Sequence, residues 1–369
     1  MVPASHSGGD LPRPPRLPTD VRSVLVVRLS ARGDVMFATP IVKALRRKYP
    51  EARLTWVVEP KSKDVVQDHP DLDDVIVWDR PAWKSMAANR SYAELWRAFL
   101  AFRKRLRATR PDLTLDMQGL LRSGLVSWFS GAAVRVSLGP QEGSGVLTSH
   151  RFPTGRFIED MSAEPKLMAE WLGLDTSEWA LDLRLSPETR DGANERLRAA
   201  GIDGPFILLV PFTTRAWKHW VERRWPELSR ALRARTGLPV VLAGGPADRE
   251  AADRILAADP DIVDLVGRTS LAEAVAVAGS AGLVVGVDTA LTHAAHAFQR
   301  PAVCVFGPQG YTRAPTPMSR MVCARELPCF PCKAADRPMV CGGAYTCMEL
   351  LSVSEVTGHA CELLDLYPA

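Results

Sequence analysis

No apolar run in this 369-residue chain reaches the ~18 residues that a membrane-crossing helix requires, which excludes a helical bilayer span. Excess charge of either sign is also scarce: 46 basic residues stand against 42 acidic ones. A dedicated nucleic-acid binder carries a stronger basic footprint than that, so nucleic acid is not an expected partner. The balance is compatible with an acidic substrate, or with weak contact to an anionic membrane surface. The first twenty residues are rich in Pro, Gly and Ser and lack the apolar core of a secretory signal. Residues 1–20 therefore read as a disordered tail. The expected location is the cytoplasm, where the seven cysteines would be reduced or metal-bound.

Apolar material is abundant. At 46% hydrophobic, a chain of this length favours two domains, each with its own core. Short β-branched runs at 24–27, 54–58, 75–78, 113–115 and 134–136 have the character of buried strands. Between them, Val35, Ala38, Ile41, Val42 and Leu45 recur at helical spacing, and 92–109 has a helical pattern. The pattern restarts with strand signals at 206–210, 240–243 and 262–265, separated by helical stretches near 226–235, 248–257 and 271–278. Strands alternating with helices predict an α/β class with mostly parallel sheets. Strand signals lapse between Leu174 and Pro205, so the hinge is expected there. The expected domains are 21–185 and 186–369.

The segment Val284-Val285-Gly286-Val287-Asp288-Thr289-Ala290-Leu291-Thr292-His293 is a buried-strand run that passes directly into a helical pattern. Asp288 is expected to cap that helix. A helix start at the carboxyl end of a parallel strand is a favoured place for an anionic ligand. Ala302-Val303-Cys304-Val305-Phe306-Gly307-Pro308 follows, a second short strand closed by a Gly-Pro turn. Together they suggest a site for a nucleotide diphosphate.

This pair of segments resembles glycosyltransferase family 9, the ADP-heptose:lipopolysaccharide heptosyltransferases. The family's Asp-Thr-Gly-x-x-His motif appears here with Ala290 at the Gly position, which removes the closest backbone approach but favours the helix. The resemblance extends through five separated segments from Val24 to about Val356. It implies a GT-B architecture, in which two doubly wound Rossmann-like domains face a cleft. The N-terminal domain would take the acceptor and the C-terminal domain the nucleotide sugar. The reaction implied is an inverting, metal-independent transfer of heptose from ADP-heptose to a hydroxyl of the lipopolysaccharide inner core, with peripheral contact to the inner membrane. Another nucleotide sugar or acceptor, such as a protein, and a non-catalytic scaffold are the alternatives.

Carried residue by residue, the resemblance makes Asp34 in Arg28-Leu29-Ser30-Ala31-Arg32-Gly33-Asp34 the general base, with Gly33 forming a tight turn. A plain helix cap is the alternative for Asp34. In Val210-Pro211-Phe212-Thr213-Thr214-Arg215-Ala216-Trp217-Lys218, Thr213 and Thr214 would bond phosphate oxygens, and Lys218 would balance charge on the departing diphosphate. Trp217 and Trp220 are candidates to line a pocket or to pack. Asp288, Thr289 and His293 complete the nucleotide-sugar site. Asp248 (or Glu250) is a candidate for ribose hydroxyls, and Ser270 is either a nucleotide contact or a helix cap. On the acceptor side, Asp116-Met117-Gln118-Gly119 resembles the family's Asp-x-Gln-Gly turn, followed by a basic residue, here Arg122. Gln118 and Arg122 would bind the acceptor, and a solvent-exposed Arg on the helix opening at Gly119 is the alternative for Arg122.

Arg97, Arg103, Lys104, Arg105, Arg107 and Arg110 interleave with Phe99, Leu100, Phe102 and Leu106. The run suits either a membrane-surface helix or an ordinary surface helix. Finally, Cys329, Cys332, Cys341 and Cys347 fall amid Pro and Gly turns between 329 and 347, and the first pair has a metal-knuckle spacing. A structural zinc or iron, reduced thiols and disulfides are the three readings of that loop. No cofactor for catalysis is expected.

Overall fold

The computed structural model describes residues 13–15, 17–153, 163–181, 183–307, 316–327, 329–330, 341 and 345–368. The chain divides into two compact units, Met1–Arg184 and Leu185–Ala369.

In the first unit, β1 (Ser23–Val27) is followed by α1 (Arg32–Ala38) and α2 (Pro40–Lys48), then β2 (Arg53–Val58) and β3 (Asp74–Val77). Next come α3 (Arg80–Ala88), α4 (Tyr92–Ala108), β4 (Leu113–Asp116), α5 (Leu121–Ser130), β5 (Val134–Leu138), β6 (His150–Phe152) and α6 (Ala163–Trp171). The helical pattern from Val35 to Leu45 is split at Pro40, which opens α2 because proline has no N–H for an interior helical bond. All five residues of β1 are buried, as befits a strand covered on both faces. The sheet is parallel, in the order β3-β2-β1-β4-β5-β6.

The second unit opens with α7 (Pro187–Ala199), then β7 (Ile207–Val210), α8 (Arg224–Thr236), β8 (Val240–Leu242), α9 (Arg249–Ala258) and β9 (Val263–Asp264). It continues with α10 (Leu271–Ser280), β10 (Leu283–Val287), α11 (Ala290–Ala297), β11 (Ala302–Val305), β12 (Ser319–Val322), α12 (Thr346–Leu350) and α13 (Val353–Leu366). Its sheet, also parallel, runs β12-β11-β10-β7-β8-β9. Strand for strand this repeats the topology of the first unit. Trp225, Leu228 and Leu232 of α8 meet Val356, Ala360 and Leu363 of α13 in one apolar core beneath the sheet.

Strand order reverses between β1 and β4 in the first unit, and between β7 and β10 in the second. In open α/β sheets the crevice outside the carboxyl ends of such strands is where ligands bind. The loops that leave β1, β4, β7 and β10 are 28–31, 117–120, 211–223 and 288–289. Most of the residues singled out by sequence lie on these loops or in the first turn or two of the helices after them.

Candidate active site

In the second unit, β10 lies between β7 and β11, with Gly286 level with Val210 and Cys304. A Cβ at Gly286 would lie 2.5 Å from Thr292 Oγ1 and 2.9 Å from the Val210 carbonyl oxygen, so only glycine lets these elements close up. The close approach brings the loop after β7 onto the end of β10. There Lys218 Nζ is ion-paired to Asp288 Oδ2. His293 Nε2 lies 2.8 Å from the other carboxylate oxygen of Asp288. Thr292 Oγ1 donates to the Val287 carbonyl at 2.8 Å, tying the start of α11 to its strand.

Asp288 is buried, and burial pushes its pKa up. The hydrogen bond and charge of His293 and the charge of Lys218 outweigh this and hold the carboxyl well below the usual carboxylate range. Asp288 does not cap α11, contrary to the sequence expectation. The cap position is Thr289, and the Asp288 side chain is spent on Lys218 and His293 instead. Thr213 donates no side-chain bond among the described residues, while its backbone carbonyl lies 2.8 Å from His219 Nε2. Thr214 is exposed beside it. The backbone of Trp217 packs on Gly307, where a Cβ would fall 2.5 Å from the Trp217 carbonyl oxygen. The loops of β7 and β11 thus touch.

Other candidates of this half are committed to local structure. Asp248 Oδ2 accepts from the Gly245 amide at 2.7 Å and closes the Gly-Gly-Pro turn. Glu250 pairs outward with Arg254 at 3.0 Å. Ser270 caps α10: its hydroxyl accepts from the Glu273 amide at 3.2 Å, and Glu273 accepts from the Ser270 amide at 2.6 Å. Trp220 is core. It stands edge-on to Trp225 at 5.1 Å and donates its indole N–H to the Leu351 carbonyl.

In the first unit, Asp34 sits in the first turn of α1 and accepts from the Ala31 amide at 3.1 Å. Gly33 is the second residue of α1, where a tight turn was expected of it. Arg28 Nη2 pairs with Asp34 Oδ2 at 2.9 Å, and its Nη1 donates to the Met117 carbonyl. Asp34 Oδ1 has no partner among the described residues. Gln118 Oε1 accepts from the Leu29 amide at 2.9 Å, which joins the loops of β1 and β4. Beneath them Asp116 is wholly buried and accepts from the amides of Gln118 and Gly119 at 3.0 and 3.1 Å and from the Ser137 hydroxyl. Gly119, with φ +73°, turns the chain where a Cβ would strike the Leu138 and Gly139 carbonyls. Arg122, at the second position of α5, is half-buried. Its Nε is buried without a partner, and no ion pair satisfies it among the described residues.

The sequence matches the family model "Glycosyltransferase family 9 (heptosyltransferase)" over residues 99–341. The chain belongs to glycosyltransferase family 9. It is accordingly a glycosyltransferase, and its two Rossmann-like units are of the GT-B class. It is 29% identical over 322 residues to "Lipopolysaccharide heptosyltransferase 1" of Pseudomonas aeruginosa, covering 84% of this chain and 85% of that protein. In fold it is similar to the family 9 glycosyltransferase of Veillonella parvula, with a TM-score of 0.77 at 19% identity over 96% of this chain and all of that one. It also shares its fold with TibC of enterotoxigenic E. coli, an iron-containing dodecameric glycosyltransferase. That match has a TM-score of 0.57 at 15% identity and covers 94% of this chain and 77% of that one.

For a family 9 chain the four-cysteine loop bears on metal content. Cys332 and the Gly342-Gly343 turn lie outside the described residues. Among the described residues no group of three metal-binding side chains is assembled. Burial pushes the Cys347 thiol up, and Cys341 and Cys329 act on it in the same direction.

Arg28 and Asp116 stand in the sequence motifs, but the motifs give neither a role. The available signal for Asp116 was an Asp that closes the apolar run Leu113-Thr114-Leu115 two residues before the Gln-Gly pair. Nothing local marks Arg28, whose guanidinium finds its partners six residues ahead and in another loop.

Proposed function

We propose that this glycosyltransferase moves a heptose from ADP-heptose, with inversion, to a hydroxyl of the lipopolysaccharide inner core at the cytoplasmic face of the inner membrane. The observation that carries the reading is the placement of candidates at the switch point of each sheet. The Thr213 and Thr214 hydroxyls, unbonded among the described residues, accompany Lys218 at one, and Asp34, whose Oδ1 has no partner among the described residues, sits at the other. The shared name of its relatives supports heptose as the sugar.

In this reading Asp34 takes the proton of the acceptor hydroxyl through its free Oδ1, while Arg28 fixes the other oxygen. Arg122 receives a phosphate or carboxylate of the acceptor in its fork, which satisfies a cation that is unpaired among the described residues. Gln118 holds the acceptor loop to the loop of Asp34. The diphosphate of the donor is received by the hydroxyls of Thr213 and Thr214 and the backbone at Thr289. Lys218, positioned by Asp288 and His293, balances the charge that grows as the glycosidic bond breaks. Asp248 and Ser270 border the base and ribose through the turns that they stabilise. Cys329, Cys332, Cys341 and Cys347 would hold a structural zinc or iron, with no position left for substrate.

The test is a coupled assay with purified enzyme, ADP-heptose and a truncated core acceptor. ADP release should match a product heavier by one heptose in mass spectrometry. Release of ADP with no mass gain, or equal turnover of another nucleotide sugar, would overturn the assignment.

A further inference from the structure

The first unit carries an aromatic surface that its core does not need. Tyr92 is 64% exposed, Trp96 60% and Trp128 50%. These side chains are not scattered. Trp96 stacks on Phe99 at 5.4 Å, Phe99 meets Phe129 at 5.1 Å, and Phe129 meets Trp128 at 5.2 Å. One continuous aromatic strip therefore crosses from α4 to α5. Exposed Leu100 and Leu121 lie on the same two helices. Isolated apolar side chains on a surface are ordinary, but a contiguous strip marks an interaction site.

Charge decides what the strip meets. α4 carries five basic residues against one acid, Glu94. Of those five, only Arg105 is ion-paired among the described residues, to Asp74 at 3.2 Å. α5 adds Arg122 and no acidic residue. On α4, Trp96 and Leu100 form one exposed row, and Arg97 and Lys104, two turns apart, form an exposed row beside it, so an apolar row is flanked by a basic one. Tryptophan and tyrosine place an apolar ring and a polar edge at a membrane interface, and unpaired Lys and Arg are drawn to anionic headgroups.

We propose that the α4–α5 face docks on an anionic lipid bilayer, with Trp96 and Trp128 inserted at the headgroup level and Arg97 and Lys104 on the phosphates. The proposal deepens the reading of the acceptor as a lipopolysaccharide, which is anchored in such a surface. It explains why α5 carries both the exposed Trp128 and Arg122, which has no ion pair among the described residues: one helix would set the depth of the enzyme and offer a cation to the acceptor.

Flotation with vesicles of phosphatidylethanolamine and phosphatidylglycerol tests it, using the full chain. Binding is expected to these vesicles, to fall in high salt, and to be weak with neutral phosphatidylcholine alone. Removing two basic charges in R97Q/K104Q should lower partitioning on the order of tenfold or more. W96S/W128S should lower it as well, and both variants should keep wild-type turnover of a water-soluble truncated acceptor. Wild-type protein that stays unbound on anionic vesicles overturns the proposal. So does dimerisation through this face, seen by light scattering and abolished by W96S/W128S, with no lipid binding. Anionic vesicle binding by an enzyme inactive on ADP-heptose would sustain the docking face and remove only the assigned reaction.

Discussion

Lys218 and Asp288, seventy residues apart in sequence, form an ion pair at the switch point of the second sheet, with Asp288 7% exposed and Lys218 22%. His293 binds the other carboxylate oxygen at 2.8 Å. The cation assigned to the leaving diphosphate is therefore held in place before any ligand arrives. Preorganisation of this kind spares reorganisation during reaction.

The depressed pKa of Asp288 carries a sign that can be tested. A carboxyl whose folded pKa lies below its ordinary value contributes stability that is present above that ordinary value. The contribution is lost as pH falls through the folded pKa. Asp288→Asn should thus lower Tm by a nearly constant amount from about pH 5 to pH 8, by leaving Lys218 without its counter-charge. A deficit confined to the alkaline end of that range would assign the effect to another group.

Lys218→Ala should reduce kcat more than it raises KM for the donor. The loss should be on the order of 10²-fold, as for removal of one preorganised electrostatic partner. Steady-state kinetics with varied ADP-heptose separate the two. A change in KM alone would make Lys218 a ground-state contact.

Asp34→Asn keeps the Ala31 amide bond and the shape of α1 but removes the base. Transfer should drop by ~10²–10⁴, with ADP affinity by calorimetry unchanged. Turnover within a few-fold of wild type would reduce Asp34 to its local bond with the start of α1.

Arg122 is unpaired among the described residues, so its removal breaks no ion pair there. Arg122→Ala should leave Tm unchanged or higher, because a buried unsatisfied donor is lost. KM for an anionic acceptor should rise by about tenfold or more. A loss of stability with normal acceptor kinetics would identify a structural role.

Elemental analysis of protein purified without chelator should find about one equivalent of zinc or iron per chain. Cys329→Ser should release it and lower Tm, while leaving activity at low temperature. Metal-free wild-type protein whose cysteines all titrate as thiols would leave a reduced cysteine loop and nothing more.

Local pattern alone determined much of this chain. Buried parallel strands announce themselves as unbroken apolar runs, so β1, β2, β7 and β10 were legible, as were α4 and α8 through their helical period. The short strands β6 and β12 were not, because His150-Arg151-Phe152 and Ser319-Arg320-Met321-Val322 carry no such run. The loops that bear the site were visible too, since each follows a strand that the sequence reveals. Side-chain partners within those loops were decided only by the tertiary structure. Asp288 and Ser270 have equal credentials as caps. Ser270 caps, because its neighbourhood offers nothing better. Asp288 does not, because the register of β7 on β10 delivers Lys218 to it, and a charged partner is stronger than an amide. Trp220 reads like a pocket residue, yet the return of the chain after α12 gives its indole a backbone carbonyl at Leu351 and makes it core. Periodicity is a property of neighbours along the chain. Which carboxylate meets which cation depends on strands far apart in sequence lying side by side.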